Sequence, residues 1–238
     1  MANQFPKVTS PTSSINDNLV FDSIGMGHLD EVVEFLMKHF FPTVPIGNIV
    51  DMDVEVEVRP WVHRFIGGVL QQGQSLGIRD ASARNQLAAV CLVQLEVKSA
   101  ALDSGPSLMD CVDPQKHPLM LMNVVFLEAL AGDVDFFHRY GVERVIDITM
   151  LAVNPSYASR GLATQLIQLT VSRGQCQYDV SVFKTEAVSE YAARAHFKVG
   201  FQAIHQIHYG DFVYDGGKPL AALVESDHKV GRLMVLSL

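Results

Sequence analysis

The sequence predicts an α/β domain in which a single mixed central sheet, partly parallel and partly antiparallel, is flanked by helices. Two observations predict this class. Segments with helical periodicity alternate with strand-like segments along the chain, and no internal repeat is present. Apolar residues make up 48% of the 238 residues and charged residues only 18%, as in a globular protein. We expect residues 19–238 to form one domain, preceded by a mobile tail over residues 1–18 that is rich in Ser, Thr and Pro.

The first half of the domain is predicted to contain a strand, two helices and a hairpin. After a short strand at Leu19–Ile24, apolar residues recur at helical spacing over Leu29–Phe40, and Pro42 and Pro45 end this helix. The other elements of this half are a helix over Pro60–Gln72 and a hairpin with strands at Gly77–Arg79 and Leu87–Val97.

The second half is predicted to alternate helices and strands. A helix from His117 to about Tyr140 ends with Gly141 as its C-cap, and the apolar strand Arg144–Val153 follows directly. The next helix, Leu162–Ser172, is expected to end before Gly174. The remaining elements are a strand at Val180–Phe183, a helix at Glu186–Val199, and strands at Phe201–Tyr209 and Arg232–Leu236.

Charge and cysteine content exclude several functions. A net charge of −8 without a basic stripe disfavours a nucleic-acid partner and favours a cationic ligand. Cys91, Cys111 and Cys176 form no paired pattern, so we expect a reduced compartment, the cytoplasm. No window reaches about 18 uncharged apolar residues, and the first residues lack an apolar signal core, so neither membrane nor secretion is predicted. The histidines lack metal-ligand spacing, so no metal is expected.

A strand, a turn of small residues and a helix follow one another over residues 146–168. The turn consists of Ser159, Arg160, Gly161, Leu162, Ala163 and Thr164. Free N–H groups of such a turn and of a first helical turn converge on one point, where the helix dipole also favours an anion. Gly161 and Ala163 leave room for phosphate oxygens near the backbone. The alternative is an ordinary strand-to-helix turn in which Gly161 supplies a positive φ.

Two stretches around and after this turn match known motifs. The first reads Val153-Asn154-Pro155-Ser156-Tyr157-Ala158-Ser159-Arg160-Gly161-Leu162-Ala163. The second reads Ser189-x-x-Ala192-x-x-x-His196-x-x-x-Gly200-Phe201. They resemble V-x-P-x-Y-[RQ]-x-x-G-x-[GA] and N-x-x-A-x-x-x-Y-x-x-x-G-F of the GCN5-related N-acetyltransferase (GNAT) superfamily. Ala158, Ser189 and His196 depart from these motifs, and Arg160 is expected to supply the charge that Ala158 lacks.

The resemblance implies a GNAT fold and acetyl-CoA as the acetyl donor, without a metal. It implies that the pyrophosphate binds along Ser159–Thr164, chiefly through backbone N–H groups. It also implies cofactor contacts from the strand residues Leu151, Ala152 and Val153 and from Ser189, with a main-chain N–H near Leu151 meeting the reaction's oxyanion.

Four further stretches narrow the resemblance. They are HFFPTVPI, FFHRYGVERVIDITMLAVNPSY, FKVGF and DHKVGRLMV. Their order and spacing are similar to those of the insect and invertebrate arylalkylamine N-acetyltransferases. This similarity implies direct acetyl transfer in a ternary complex to a small-molecule amine of the serotonin, dopamine, tyramine or octopamine class, by a protein expected to be a monomer. An acyltransferase for polyamines or with longer acyl-CoA donors, and a CoA-binding module with little turnover, are the alternatives.

Acetyl transfer to an amine needs a base, because alkylammonium groups have a pKa near ~10. The related family carries a glutamate in F-F-x-x-E-P-L, where this chain has Val44. Asp147 is the first substitute, since histone-type members of the superfamily keep a glutamate base at that point of the strand. Period-two alternation places Asp147, Thr149, Leu151 and Val153 on one face. The alternative for Asp147 is a structural role, as the partner of a neighbouring backbone donor or of a salt bridge.

Two histidines and a group of aromatic residues complete the predicted site. His228 matches the histidine of P-H-x-x-x-R-x-x-V beside the amine pocket, and an imidazole is a side chain suited to a proton relay. His196 replaces the tyrosine that protonates the leaving CoA thiolate. The alternatives are a surface-turn role for His228 and a packing role for His196. By resemblance, the acceptor site is walled by Phe40, Phe41, Trp61 and Phe65.

Overall fold

The computed structural model describes residues 18–98, 106–224 and 226–238, so the predicted tail up to residue 17 lies outside the described residues. The strands are β1 (Leu19–Ser23), β2 (Leu76–Asp80), β3 (Gln86–Val97), β4 (Arg144–Val153), β5 (Val182–Ala187), β6 (Gln202–His208) and β7 (Val230–Ser237). The helices are α1 (Leu29–His39), α2 (Arg59–Gln71), α3 (Pro118–Ala131), α4 (Phe136–Tyr140), α5 (Leu162–Tyr178) and α6 (Glu190–Val199).

All seven strands belong to one sheet, in the order β1-β2-β3-β4-β5-β7-β6. Neighbouring strands pair antiparallel except for β4 and β5, which are parallel. Helices α1 and α2 cover one face of the sheet, and α5 and α6 cover the other. The predicted α/β class with a mixed sheet is therefore confirmed.

The parallel ladder between β4 and β5 is short. Residues 145–147 of β4 pair with residues 182–184 of β5, and the Thr185 hydroxyl donates to the carbonyl oxygen of Ile148 at 2.8 Å. Beyond this point the strands part, and within the described residues no strand pairs with that edge of β4 from Thr149 to Val153. Backbone groups along this edge are therefore available to a ligand.

A β-bulge lies in β4 where the two strands part. Met150 pairs with Leu92 and Ile148 with Val93, so Thr149 is an extra residue in the ladder with β3. The expectation that Asp147, Thr149, Leu151 and Val153 share one face is therefore wrong. Leu151 and Val153 pack on the α5 side, and Met150 packs on the α1–α2 side with the other large apolar residues there.

The helices differ from the predicted ones in three places, and a glycine lies at two of these places. The helix expected over His117–Tyr140 is divided into α3 and α4, because Gly132 at the end of α3 has a φ of 61°. Gly141, with a φ of 66°, ends α4 as predicted. Gly174 does not end α5, which continues to Tyr178. The helix expected from Glu186 begins only at Glu190, because Glu186 still belongs to β5.

Gly174 allows α5 to approach the sheet closely. A Cβ atom at this position would lie 2.6 Å from Cε1 of Phe183 and 2.7 Å from Cδ1 of Ile146. Both neighbours are buried in the core. The close approach explains why a glycine is found inside a helix, where it otherwise costs about 1 kcal/mol relative to alanine.

We expect Gly174→Ala to lower the free energy of unfolding by about 1–3 kcal/mol, because the added methyl group overpacks the core. Gly67 in α2 is the matched control, since a Cβ there would meet only Cδ2 of Leu29 at 3.8 Å. Gly67→Ala should instead raise the free energy of unfolding by about 0.5–1 kcal/mol through helix propensity. Urea unfolding followed by circular dichroism measures both, and two shifts of the same sign would contradict the packing argument.

Candidate active site

The candidate site lies where the carboxyl ends of β4 and β5 meet the helices that follow them. Because the two strands are parallel, the N-termini of α5 and α6 are at the same edge of the sheet. The unpaired edge of β4 separates these two helix starts. The predicted cofactor residues Leu151, Ala152 and Val153 lie on this edge, Ser159–Thr164 lie at the start of α5, and Ser189 lies at the start of α6.

The turn before α5 presents backbone donors without a competing side chain. Gly161, the N-cap residue, has a φ of 76°, and Ser159 has a φ of 61°. Within the part of the chain that the structure describes, no side chain caps this helix, and the first intrahelical bond runs from the Gln165 N–H to the Gly161 carbonyl. The N–H groups of the first turn are therefore free to bind an anion such as a pyrophosphate.

Tyr157 ties this turn to the β2–β3 hairpin. Its hydroxyl donates to Oδ2 of Asp80 at 2.8 Å and accepts from Nε2 of Gln86 at 2.8 Å. Asp80 also accepts from the Ser82 hydroxyl and N–H, and the hydrogen bonds from Ser82 and Tyr157 lower the pKa of this carboxyl group. The Arg160 guanidinium lies 5.0 Å from the Tyr157 ring centroid. Tyr157 therefore supports both the turn and its one arginine.

The start of α6 gathers Ser189 and His228. The Ser189 hydroxyl caps the helix by accepting from the Ala192 N–H at 3.2 Å. Nδ1 of His228 accepts from the Glu190 N–H at 3.4 Å, and its ring meets Tyr191 edge-on at 5.1 Å. The structure thus brings these two predicted residues to one helix end, next to the opening between β4 and β5.

His196 belongs to α6, and its side chain is buried in the core. Its Nδ1 lies 2.9 Å from the Ala192 carbonyl oxygen, and its ring packs edge-on against Phe201 at 4.9 Å. Burial lowers the pKa of His196 to about 4, so the ring is neutral. Because a carbonyl only accepts, Nδ1 carries the proton, and Nε2 has none to give to a thiolate in this tautomer. The proton-donor role predicted for His196 requires the other tautomer.

Two adjoining cavities open on the α2 side of the parted strands. The inner chamber, of about 60 Å³, is lined by Phe40, Phe41, Trp61, Phe65, Gln94, Leu108, Leu127, Asp147, Thr149, Met150, Glu186 and Val188. The vestibule, of about 420 Å³, is lined by Gln94, Glu96, Val97, Lys98, Pro106, Ser107, Leu108, Leu127, Glu128, Ala131, Phe137, Asp147, Lys184 and Glu186. The four predicted aromatic residues meet in the inner chamber, whereas His196 and His228 line neither cavity.

Asp147 and Glu186 lie at the boundary of the two cavities. Asp147 is only 9% exposed, and its Oδ1 atom has no hydrogen-bond partner among the described residues. Burial raises the pKa of Asp147 well above its ordinary value, and nearby Glu186 raises it further while Lys184 opposes the shift. Burial also raises the pKa of Glu186. A carboxyl group that borders a cavity and has an unpartnered oxygen suits the binding and deprotonation of an amine.

The charge of Lys184 acts to lower the pKa of both carboxyl groups. Its Nζ atom lies 2.8 Å from a carboxylate oxygen of Glu96. Burial acts to lower the pKa of Lys184, but Asp147, Glu96 and Glu186 together raise it, so the side chain stays charged.

Four residues at these cavities, Gln94, Glu96, Lys184 and Glu186, are not among the residues predicted from the sequence. Their signal is a charged or amide side chain at every second position of a strand, in Gln94-Leu95-Glu96 and Lys184-Thr185-Glu186. Because the sequence predicts that a helix begins at Glu186, the pattern assigns this residue to α6 and not to β5. Val44, the position where the resembled sequence pattern has a glutamate, is buried in an apolar cluster and lines neither cavity.

The described residues include the three cysteines of the chain, which lie apart from the site. Burial raises the pKa of Cys91 to about 12 and also raises that of Cys111, while Cys176 is exposed. None of the three cysteines lines the chamber or the vestibule.

In the described ranges, no cluster of three or more His, Cys, Asp or Glu side chains could hold a metal ion. None of the described helices has the length and apolar character needed to cross a membrane.

Comparison with known proteins supports the motif analysis. Residues 96–201 match the model of the acetyltransferase (GNAT) family. Arylalkylamine N-acetyltransferase 2 from Aedes aegypti has a similar structure, with a TM-score of 0.77 and 19% identity over 93% of this chain and 99% of that one. Drosophila melanogaster polyamine N-acetyltransferase, described as forming N-acetylagmatine, has a TM-score of 0.73 and 17% identity over 93% of this chain and 100% of that one. The sequence has no match among curated proteins. The predicted GNAT fold is thereby confirmed.

We expect Tyr157→Phe to raise the Kd for acetyl-CoA at least about threefold, because loss of the hydrogen bond to Asp80 lets the turn leave its binding conformation. Tyr178→Phe is the matched control, since Tyr178 packs at the far end of α5. Isothermal titration calorimetry measures both variants, and circular dichroism verifies that both are folded. Equal affinities for the two variants would remove Tyr157 from the support of the turn.

Proposed function

We propose that this chain, in which residues 96–201 match the acetyltransferase (GNAT) family model, transfers the acetyl group of acetyl-CoA directly to the primary amine of a small arylalkylamine in a ternary complex. One observation carries the proposal. The buried Asp147 carboxyl group, with Oδ1 unpartnered in the described residues, adjoins a chamber with four aromatic side chains and lies near the open edge of β4. A base, an apolar wall and main-chain donors are therefore within one site.

The donor is proposed to bind along the opening between β4 and β5. The pyrophosphate would lie on the free N–H groups at the start of α5, with the guanidinium of Arg160 nearby. The main chain of residues 151–153 would then take the pantetheine arm and the thioester carbonyl, since no described strand occupies that edge. Ser189 at the start of α6 borders the same opening.

The acceptor reaches the site as an ammonium ion and must lose a proton before it attacks. A carboxyl group whose pKa burial raises well above its ordinary value suits this role, so we assign proton removal to Asp147. The amine nitrogen then attacks the thioester carbonyl, the C–N bond forms, and the C–S bond breaks to release CoA. His228, at the start of α6, is a candidate relay for the protons, and His196 remains a candidate donor to the thiolate only in its second tautomer.

The assignment of direct transfer is supported by the cysteines, because none lines the cavities. We further propose that residues 19–238 act as one domain and that the protein is a cytoplasmic monomer with a small-molecule amine as its partner. The net charge of −8 supports a cationic ligand over a nucleic acid.

A polyamine acceptor is the second candidate. The vestibule contains four carboxyl groups, from Glu96, Glu128, Asp147 and Glu186, and only two lysines, Lys98 and Lys184. Its volume of about 420 Å³ falls in the range of ligand pockets, whereas the inner chamber of about 60 Å³ must widen to hold a ring. An acidic vestibule of this kind would also suit a flexible chain with more than one ammonium group.

Tyramine, dopamine and serotonin should show kcat/KM values at least about tenfold above those of spermidine and putrescine, because burial of one aromatic ring contributes about 1.5–3 kcal/mol. A thiol-reporter assay with acetyl-CoA measures each rate. A preference for spermidine would select the polyamine function, and no turnover with any amine despite CoA binding would select the non-catalytic alternative. Butyryl-CoA and longer donors in the same assay test the acyl chain.

Asp147→Asn should lower kcat at about pH 7 by about 10²-fold or more, with little change in the KM for acetyl-CoA, because it removes the base and leaves the donor turn intact. Asp133→Asn is the matched control, since Asp133 is exposed and lines neither cavity. Steady-state kinetics between about pH 6 and pH 9 provides the comparison. Retention of the full kcat by Asp147→Asn over this range would exclude Asp147 as the base.

A further inference from the structure

Asp147 and Glu186 lie where the parallel ladder between β4 and β5 ends. Asp147 pairs with Lys184, and Glu186 is two residues farther along β5, on the same side of the sheet. Both side chains line the inner chamber and the vestibule. The two acids therefore border the same space, although they come from strands that have already begun to separate.

The charges around this pair leave it without a bonded cation. Lys184 is the cation of β5, and it forms its ion pair with Glu96 of β3. Lys98, which directly follows β3, has its Nζ atom 3.5 Å from a carboxylate oxygen of Glu143, and Glu128 of α3 adds a further acid to the vestibule. Among the described residues, no salt bridge within 4.0 Å joins Asp147 or Glu186 to a basic side chain.

Two carboxyl groups that border the same poorly solvated space do not both ionise readily, because the second negative charge would have no bonded cation and would be repelled by the first. A single proton between them leaves one net negative charge at the boundary of the cavities. One ammonium group of a substrate then balances that charge.

We propose that Glu186 is a second catalytic carboxyl group, which shares one proton with Asp147, so that the pair as a unit binds the acceptor ammonium and accepts its proton. This inference rests on the proposed acetyltransferase function for the role of the pair, but the sharing of the proton is a property of the free protein. It adds to the reaction a residue that the motifs do not contain.

The protons balance in two steps. The ammonium ion gives one proton to the pair, which becomes neutral, and the free amine attacks the thioester carbonyl. The C–N bond forms, the C–S bond breaks with its electrons on sulfur, and the second nitrogen proton goes to the CoA thiolate. The pair returns the first proton to water through the vestibule, so the products are the N-acetylamine, CoA and one proton.

Infrared difference spectroscopy of the free protein tests the shared proton without any substrate. At about pH 7 the wild type should show the C=O stretch of a protonated carboxyl group. Both Glu186→Gln and Asp147→Asn should lower the pH at which the band disappears, because the remaining acid no longer has a second carboxylate nearby. Asp133→Asn should leave that pH unchanged. Absence of the band from the wild type, or a wild-type titration of the band in both Glu186→Gln and Asp147→Asn, would overturn the pair.

Kinetics tests the role of the pair in turnover. Glu186→Gln should lower kcat/KM for the amine by about tenfold or more, leave the KM for acetyl-CoA nearly unchanged, and replace two carboxyl ionisations in the pH profile with one. Glu186→Asp should recover part of the loss, which a purely structural role would not explain. A pH profile of Glu186→Gln with the wild-type shape would overturn the catalytic role. If no amine is acetylated, the proposed function fails, and the infrared band still decides whether the pair exists.

Discussion

The site depends on the point at which β4 and β5 stop pairing. Hydrogen bonds join the two strands over three residue pairs, and the bulge at Thr149 then alters the direction of β4. Backbone N–H and C=O groups inside a protein must find partners, so an unpaired edge within a sheet is stable only where water or a ligand can reach it. The same divergence opens the two cavities and sets the starts of α5 and α6 around a common space.

The parted strands also explain why charged residues lie within the sheet. Asp147, Lys184 and Glu186 occupy positions where apolar side chains would pack more favourably, since a buried charge is costly unless it is paired. The ion pair of Lys184 with Glu96 limits this cost on one side of the cluster. The unpartnered Oδ1 atom of Asp147 shows that the cost is not fully offset within the described residues. Such incomplete satisfaction is typical of functional sites.

Polar anchors hold the walls of the site at fixed positions. The π-helical turn Val54–Val58 carries Glu57, whose carboxylate accepts from the Leu119 N–H at 2.8 Å and the Met120 N–H at 3.2 Å at the start of α3. This contact joins α3 to α2, which carries Trp61 and Phe65. At the turn before α5, the hydrogen bond from the Tyr157 hydroxyl to Asp80 joins that turn to the β2–β3 hairpin in the same way. Each anchor is a side chain that reaches an element distant in the sequence.

Sequence alone determined those features that arise from neighbouring residues. Helical and strand periodicities located β4 at Arg144–Val153, and a glycine after small residues located the turn before α5, because both patterns reflect local backbone geometry. The tertiary structure decided the features that depend on register between distant strands. The bulge at Thr149, the close approach at Gly174 and the meeting of Asp147 with Glu186 and Lys184 are of this kind, since no local pattern records which residue of one strand lies beside which residue of another.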